Sequence, residues 1–206
     1  MGQGTILSCL LRGVNVGGKR MAMASLSELL TGEGLVNPKT YIQSGNAVFL
    51  HPKGHALELS ALPAALSSAI ENEFGYEVPV ILKTLEQLKA VTTRNPFLTK
   101  ELKSSIEMKA IYTVFLEAEM SEDVTEQFEK YAKSFDPKAN PGLPEGNEDL
   151  FIVSPTLTEI YLYCQKAGYG KTKLTNNVIE KVLGMNCTTR NWNTCLKLVD
   201  MMETHS

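Results

Sequence analysis

The feature that most constrains this chain is an alternation of two periods. Short apolar runs rich in β-formers, closed by turns, are separated by longer segments whose apolar residues recur every three or four positions. Residues 4–11, "GTILSCLL", are too short for a helix and read as a strand. From about Ala24, Leu26, Leu29 and Leu30 take up helical spacing until the Gly32 to Gly34 cluster stops them. "TYIQSGNAVFL" makes two short strands about a turn at Ser44, Gly45 and Asn46. A second helix, 59–74, lines up Leu62, Leu66, Ala69, Ile70 and Phe74, and "VPVILK" at 78–83 is a fourth strand.

That order, βαββαβ, is the split βαβ arrangement: an antiparallel sheet backed by two helices. The pattern then restarts. A short helix at 84–92 ends in the "NPF" break, 110–116 is a strand and 122–135 a helix. Three prolines make 136–147 a loop, strands follow at 149–153 and 158–163, and a helix at 172–183. A terminal helix from about Thr189 replaces the last strand, so the second unit reads βαββα. The expected fold is therefore α+β, tandem diverged ferredoxin-like repeats with a C-terminal helix. The units are 1–92 and 93–206, packed as one compact body. The acidic stretch "EAEMSEDVTEQFEK" carries Met120, Val124, Phe128 and Tyr131 at helical spacing and reads as a solvated helix face.

With 206 residues, 43% of them hydrophobic and 21% charged, the chain can bury a core without staples. Its longest apolar run, Ile6 to Leu11, is broken by Ser8, far short of the ~20 residues a bilayer requires. No membrane partner is expected, and without a signal peptide the default compartment is the cytoplasm. Cys9, Cys164, Cys187 and Cys195 form no Cys-x-x-Cys pair, so reduced thiols are expected and no metal site. His51 and His55 in "HPKGH" have no carboxylate beside them until Glu58, and an exposed loop is the simpler reading.

A net charge of -3 argues against gripping nucleic acid by bulk attraction alone. Its distribution says more. Residues 1–27 carry Arg12, Lys19 and Arg20 with no acid, and 160–199 carry five positive charges net. Within the first segment, "RGVNVGGKR" spaces Gly13, Gly18 and Lys19 as a P-loop does, but Arg20 stands where the Mg²⁺-binding hydroxyl belongs. In the second, "GYGKTKLTN" has Gly170, Lys171 and Thr172, but Gln165 replaces the first glycine. A P-loop also belongs to a parallel sheet. What survives is general: a glycine-rich turn before a helix, with a lysine beside it, suits an anion. The plainer alternative is a tight left-handed turn with Lys19 solvated.

Four motifs in order, "LLRGVNVGGK", "TYIQSGNAVF", "GYGKTKLTN" and "TTRNWNTCLKL", resemble the bacterial domain-of-unknown-function family 1697 over roughly residues 5–199. The resemblance implies a small, cytoplasmic α+β protein of ferredoxin-like repeats and supplies no reaction. Polar residues matching its pattern are Arg12, Asn15, Gly17, Gly18 and Lys19; Gln43, Ser44 and Asn46; Lys171, Thr172, Lys173 and Asn176; and Arg190, Asn191 and Asn193. These are the candidate ligand-binding residues. Arg20 and Cys195 depart from the pattern. Trp192 shares helical spacing with Cys195, Leu196 and Val199, which marks it as core.

In a split βαβ unit the turn after strand one and the hairpin after strand two emerge at the same end, which predicts Lys19 and Asn46 as neighbours. A helix starting at Lys171 instead places Arg190 some ~18 Å away. The leading expectation is a binding protein for a phosphate-bearing ligand, nucleotide or nucleic acid, read by amides and cations. Two other classes stay open. One is an enzyme using the 17–19 and 44–46 edge, for instance through a Ser44–Lys19 pair. The other is a protein-interaction module whose polar motifs lock turns and caps. The sequence names no cofactor, catalytic residue or oligomeric state.

Overall fold

The computed structural model describes residues 4–99, 106–135, 149–164 and 168–205; the expected proline-rich loop at 136–147 lies outside them. The first sheet is built from β1 (Thr5–Leu11), β2 (Val36–Tyr41), β3 (Asn46–His51) and β4 (Val80–Thr84), with α1 (Met23–Gly32) and α2 (Leu62–Phe74) between them. Its order is β2-β3-β1-β4, and each neighbouring pair is antiparallel. After α3 (Leu85–Thr93) the second sheet is built from β5 (Ile111–Leu116), β6 (Leu150–Val153), β7 (Glu159–Tyr163) and β8 (Cys187–Asn191). It runs β6-β7-β5-β8, antiparallel throughout, with α4 (Glu122–Phe135), α5 (Asn176–Leu183) and then α6 (Trp192–Glu203). The protein is thus α+β, with two four-stranded antiparallel sheets and six α-helices among the described residues. No helix among them is long and apolar enough to cross a membrane.

Strand β8 corrects the expected βαββα order of the second unit. Residues 187–191 pair with β5 from Leu116↔Cys187 to Tyr112↔Asn191, and the helix begins only at Trp192. "CTTRN" has no apolar alternation, so its strand character was invisible to periodicity. Its β-branched Thr188 and Thr189 suit extended backbone, and the buried β5 supplies the ladder. A second correction concerns the expected helix at 172–183. Tyr169–Lys171 form a 3₁₀ turn, Thr172 and Thr175 are extended, and α5 starts at Asn176.

Alternation places each core. Leu7, Cys9 and Leu11 of β1 pack with Phe49, with Leu26 and Leu30 of α1, and with Leu62, Leu66 and Ile70 of α2. In the second unit Val114, Leu116, Ile160 and Leu162 pack with Phe128 and Ala132 of α4 and with Ile179 and Leu183 of α5. Each fully buried leucine stabilises by about 2 kcal/mol. Phe128 of α4 faces inward, Met120 is buried just before that helix begins, and Trp192 is buried. The chain divides into two compact units, Met1–Lys89 with Leu196–Ser206, and Ala90–Cys195. In the first, the carboxyl-terminal segment is tied by a Lys89–Glu203 ion pair of 2.7 Å and by a 2.8 Å contact of His205 Nε2 with Asn37 O.

Candidate functional site

Beyond β1 the chain turns at Gly13 and reaches Asn15, a non-glycine residue at φ +56°. There it makes a miniature hairpin. The Lys19 N–H donates to Val16 O at 3.1 Å and the Asn15 N–H to Lys19 O at 2.7 Å. Gly17 and Gly18, at φ +59° and +87°, supply the two left-handed residues that a type I′ turn requires. Among the described residues no hydrogen bond takes up the N–H groups of Gly17 and Gly18. The turn borders an open pocket of about 540 Å³ lined by residues 15–22. Because α1 starts at Met23, capped by Ala22 without a side-chain bond, this is not the P-loop arrangement in which the lysine opens the helix.

Asn15 also braces the site. Its Nδ2 donates to Met21 O at 3.0 Å and to Gln43 O at 2.7 Å, and its Oδ1 accepts the Met21 N–H at 3.0 Å. The Leu11 N–H reaches Gly45 O at 2.8 Å. The turn after β1 and the hairpin after β2 therefore do meet at one end of the sheet. The two side chains expected to be neighbours there, Lys19 and Asn46, are not hydrogen-bonded to each other. Lys19 Nζ donates to Glu77 O at 3.0 Å and stands 5.4 Å from the Tyr76 ring centre. Asn46 is fully buried, and its Nδ2 donates to Tyr41 O and to Ser44 Oγ, both at 3.0 Å. Ser44 and Lys19 thus face other partners than each other.

The hairpin tip is tight. A Cβ on Gly45, at φ +74°, would lie 2.5 Å from Val14 Cγ2 and 2.7 Å from Leu11 Cβ. Ile42 adopts φ +48°, which a β-branched residue does only at a cost of about 1–3 kcal/mol, and its side chain is 50% exposed. Gln43, Ser44, Gly17, Gly18, Lys19 and Arg20 are exposed, and Arg12 is half-buried with its N–H on Pro79 O at 3.0 Å. Sequence reasoning missed Tyr76, whose hydroxyl donates to Arg20 O at 2.8 Å, and Ile42; neither carries a signal in the primary order.

In the second unit the motif residues part company. Lys171, Lys173 and Asn193 are exposed. Thr172 is buried, its Oγ1 accepting the Leu174 N–H at 3.2 Å. Asn176 closes a ring: its N–H donates to Tyr169 Oη at 3.1 Å, Tyr169 donates to Thr189 Oγ1 at 3.1 Å, and Thr189 donates to Asn176 Oδ1 at 2.6 Å. Arg190 lies on β8 opposite Thr113, is only 6% exposed, and donates from Nη1 to Thr188 Oγ1 at 2.7 Å and Thr189 O at 3.0 Å. Asn191 donates to Lys109 O at 2.9 Å while its Oδ1 accepts the Asn193 N–H at 3.0 Å at the start of α6. The separation of Lys171 from Arg190 argued from a helix loses its basis, since the intervening helix starts at Asn176.

Other chemistry-bearing groups are held inside. All four cysteines are buried and none is in a disulfide. Burial pushes the Cys164 and Cys195 thiols up to about 12, the Arg190 charge acting the other way on Cys195. Neither is an activated nucleophile. Burial, with Glu159 and Cys195 adding to it, likewise pushes Tyr161 up to about 12. Glu159, unremarked in the sequence, accepts hydroxyl bonds from Ser154, Thr156 and Thr158 at 2.8 to 3.1 Å on one carboxylate oxygen. His51 and His55 lock their loop to backbone. Their Nε2 atoms meet Leu57 O at 3.0 Å and Glu33 O at 2.8 Å, and His55 Nδ1 accepts the Leu57 N–H at 3.1 Å.

Fold and site together define an α+β protein of two like-ordered antiparallel sheets, with a glycine turn and exposed cations at one end of the first. The chain belongs to the family described as a protein of unknown function (DUF1697), whose model matches residues 6–139. Among solved structures it is similar to that of the conserved bacterial protein SP0830 from Streptococcus pneumoniae. The two share 21% identity and a TM-score of 0.67, over 97% of this chain and 99% of the other. At that identity the likeness shows the fold alone. No curated protein matches the chain.

Proposed function

We propose that this protein binds a phosphate-bearing ligand, a nucleotide or nucleic acid, at the Gly17–Lys19 edge of its first unit. The observation that carries the reading is the pair of unbonded N–H groups of Gly17 and Gly18, set in an open pocket beside the exposed Lys19 and Arg20. Successive backbone donors with neighbouring cations complement phosphate oxygens. Lys171 and Lys173 are the corresponding exposed cations of the second unit. Asn15 and Asn46 support this edge as braces, because their polar atoms bond to the protein itself, while Thr172, Asn176, Arg190 and Asn191 bond within the second unit. On the same reading each unit is a ferredoxin-like repeat, which the matching strand orders favour, and the protein works in the cytoplasm. The test is binding of nucleotides and short RNA or DNA at low salt to wild type and to a Lys19→Ala, Arg20→Ala double variant. At least about tenfold weaker binding by the variant is expected, and equal binding overturns the reading.

A further inference from the structure

We propose that the same edge recognises an adenine base attached to the phosphate, gripped by Val16 and Ile42 and read by Gln43; this rests on the phosphate reading above. Among the described residues, Val16 at 59% and Ile42 at 50% are the most exposed of the large apolar side chains. They are not scattered. Each stands one residue from an end of the hydrogen bond, Asn15 Nδ2 to Gln43 O, that joins the two loops. Exposed apolar groups beside unbonded N–H groups and two cations suit a ligand that is anionic at one end and flat and apolar at the other. Inorganic phosphate uses only half of that surface.

The backbone of Ile42 supports the assignment. Asn or Gly holds φ +48° with far less strain than a β-branched residue. An isoleucine there, with half its surface exposed, carries that strain for limited burial in return, so its value lies in what it touches when the ligand is present. Gln43 adds the choice of base. Its carbonyl is fixed by Asn15, while no described residue takes up its exposed side-chain amide. A free carboxamide offers one donor and one acceptor side by side, which matches the N6 amino group and N7 of adenine and mismatches the two acceptors of guanine. The ligand class is therefore an adenine nucleotide, with its phosphate on Gly17, Gly18 and Lys19.

Calorimetric titration with AMP, GMP and ribose 5-phosphate tests this. AMP is expected to bind about tenfold more tightly than ribose 5-phosphate, which carries the same phosphate without a base, and also more tightly than GMP. Val16→Ser and Ile42→Asn should erase the advantage over ribose 5-phosphate. Ile42→Asn should at the same time raise the thermal midpoint, so a misfolded variant cannot mimic the result. Gln43→Leu should erase only the preference over GMP. Equal binding of AMP and ribose 5-phosphate, or an advantage that survives both apolar substitutions, overturns the base clamp and leaves the phosphate site standing. Binding of none of the three overturns both.

Discussion

At the end of the first sheet, Asn15 commits its amide to Met21 and Gln43 and leaves the Gly17 and Gly18 N–H groups facing outward. At the start of α5 in the second unit, Asn176 closes a ring with Tyr169 and Thr189 instead. Both units share one strand order and both place a glycine–lysine pair near an asparagine. The difference lies in what the amide braces. Bracing a type I′ turn from below keeps the turn's donors open, whereas bracing a helix start against β8 joins elements within one unit. A polar motif is thus no evidence of a site until its bonds are followed to their partners.

The sharpest way to break this comparison is at the glycines. Gly45→Ala pushes a Cβ into Val14 and Leu11 at left-handed φ, and should cost about 4 kcal/mol or prevent folding. In urea its midpoint should fall far below that of wild type; a small shift would mean the hairpin tip can relax. Alkaline pH distinguishes the units next. The folded pKa values of Cys164 and Cys195 are raised to about 12 from an ordinary 9.0. Their contribution is therefore fully present below about pH 9 and is lost as pH climbs towards 12. For Cys195 the loss is roughly 2–3 kcal/mol by about pH 11. Denaturation midpoints measured against pH should show the decline, and Cys195→Ala should flatten it.

Amide truncation probes the braces themselves. Asn15→Ala and Asn176→Ala each forfeit two or three hydrogen bonds and should cost about 2 kcal/mol, but only Asn15→Ala should also weaken phosphate binding. Equal effects on binding would erase the distinction drawn between the units. Gly17→Ala, with nothing within 4 Å of its new Cβ, should cost only the left-handed penalty of about 1–2 kcal/mol. The smallest effect is expected from Lys171→Ala at an exposed position, within about 0.5 kcal/mol in a thermal melt.

Much of the fold was legible because periodicity reports burial. Leu26 and Leu30, or Leu62, Leu66 and Ile70, recur at helical spacing since one helix face meets a core, and β1 and β3 were marked by short β-rich runs between turns. Strand β8 was illegible for the converse reason: its residues are polar, and only pairing with β5 makes them a strand. The site divided likewise. Glycines, lysines and amides marked the loops, but their spacing carries no information on which amide would bond Gln43 O, nor on Arg190 turning inward or Ile42 outward.

The amino-acid sequence by itself determined the family, the α+β class and the loops where polar chemistry collects, because turn residues and apolar spacing act through local backbone preference and burial. Only the tertiary structure decided which members of those loops hold the fold and which stay open to a ligand. A hydrogen bond joins groups by position in space, and residues 15 and 43 become partners only once β1 and β3 have paired.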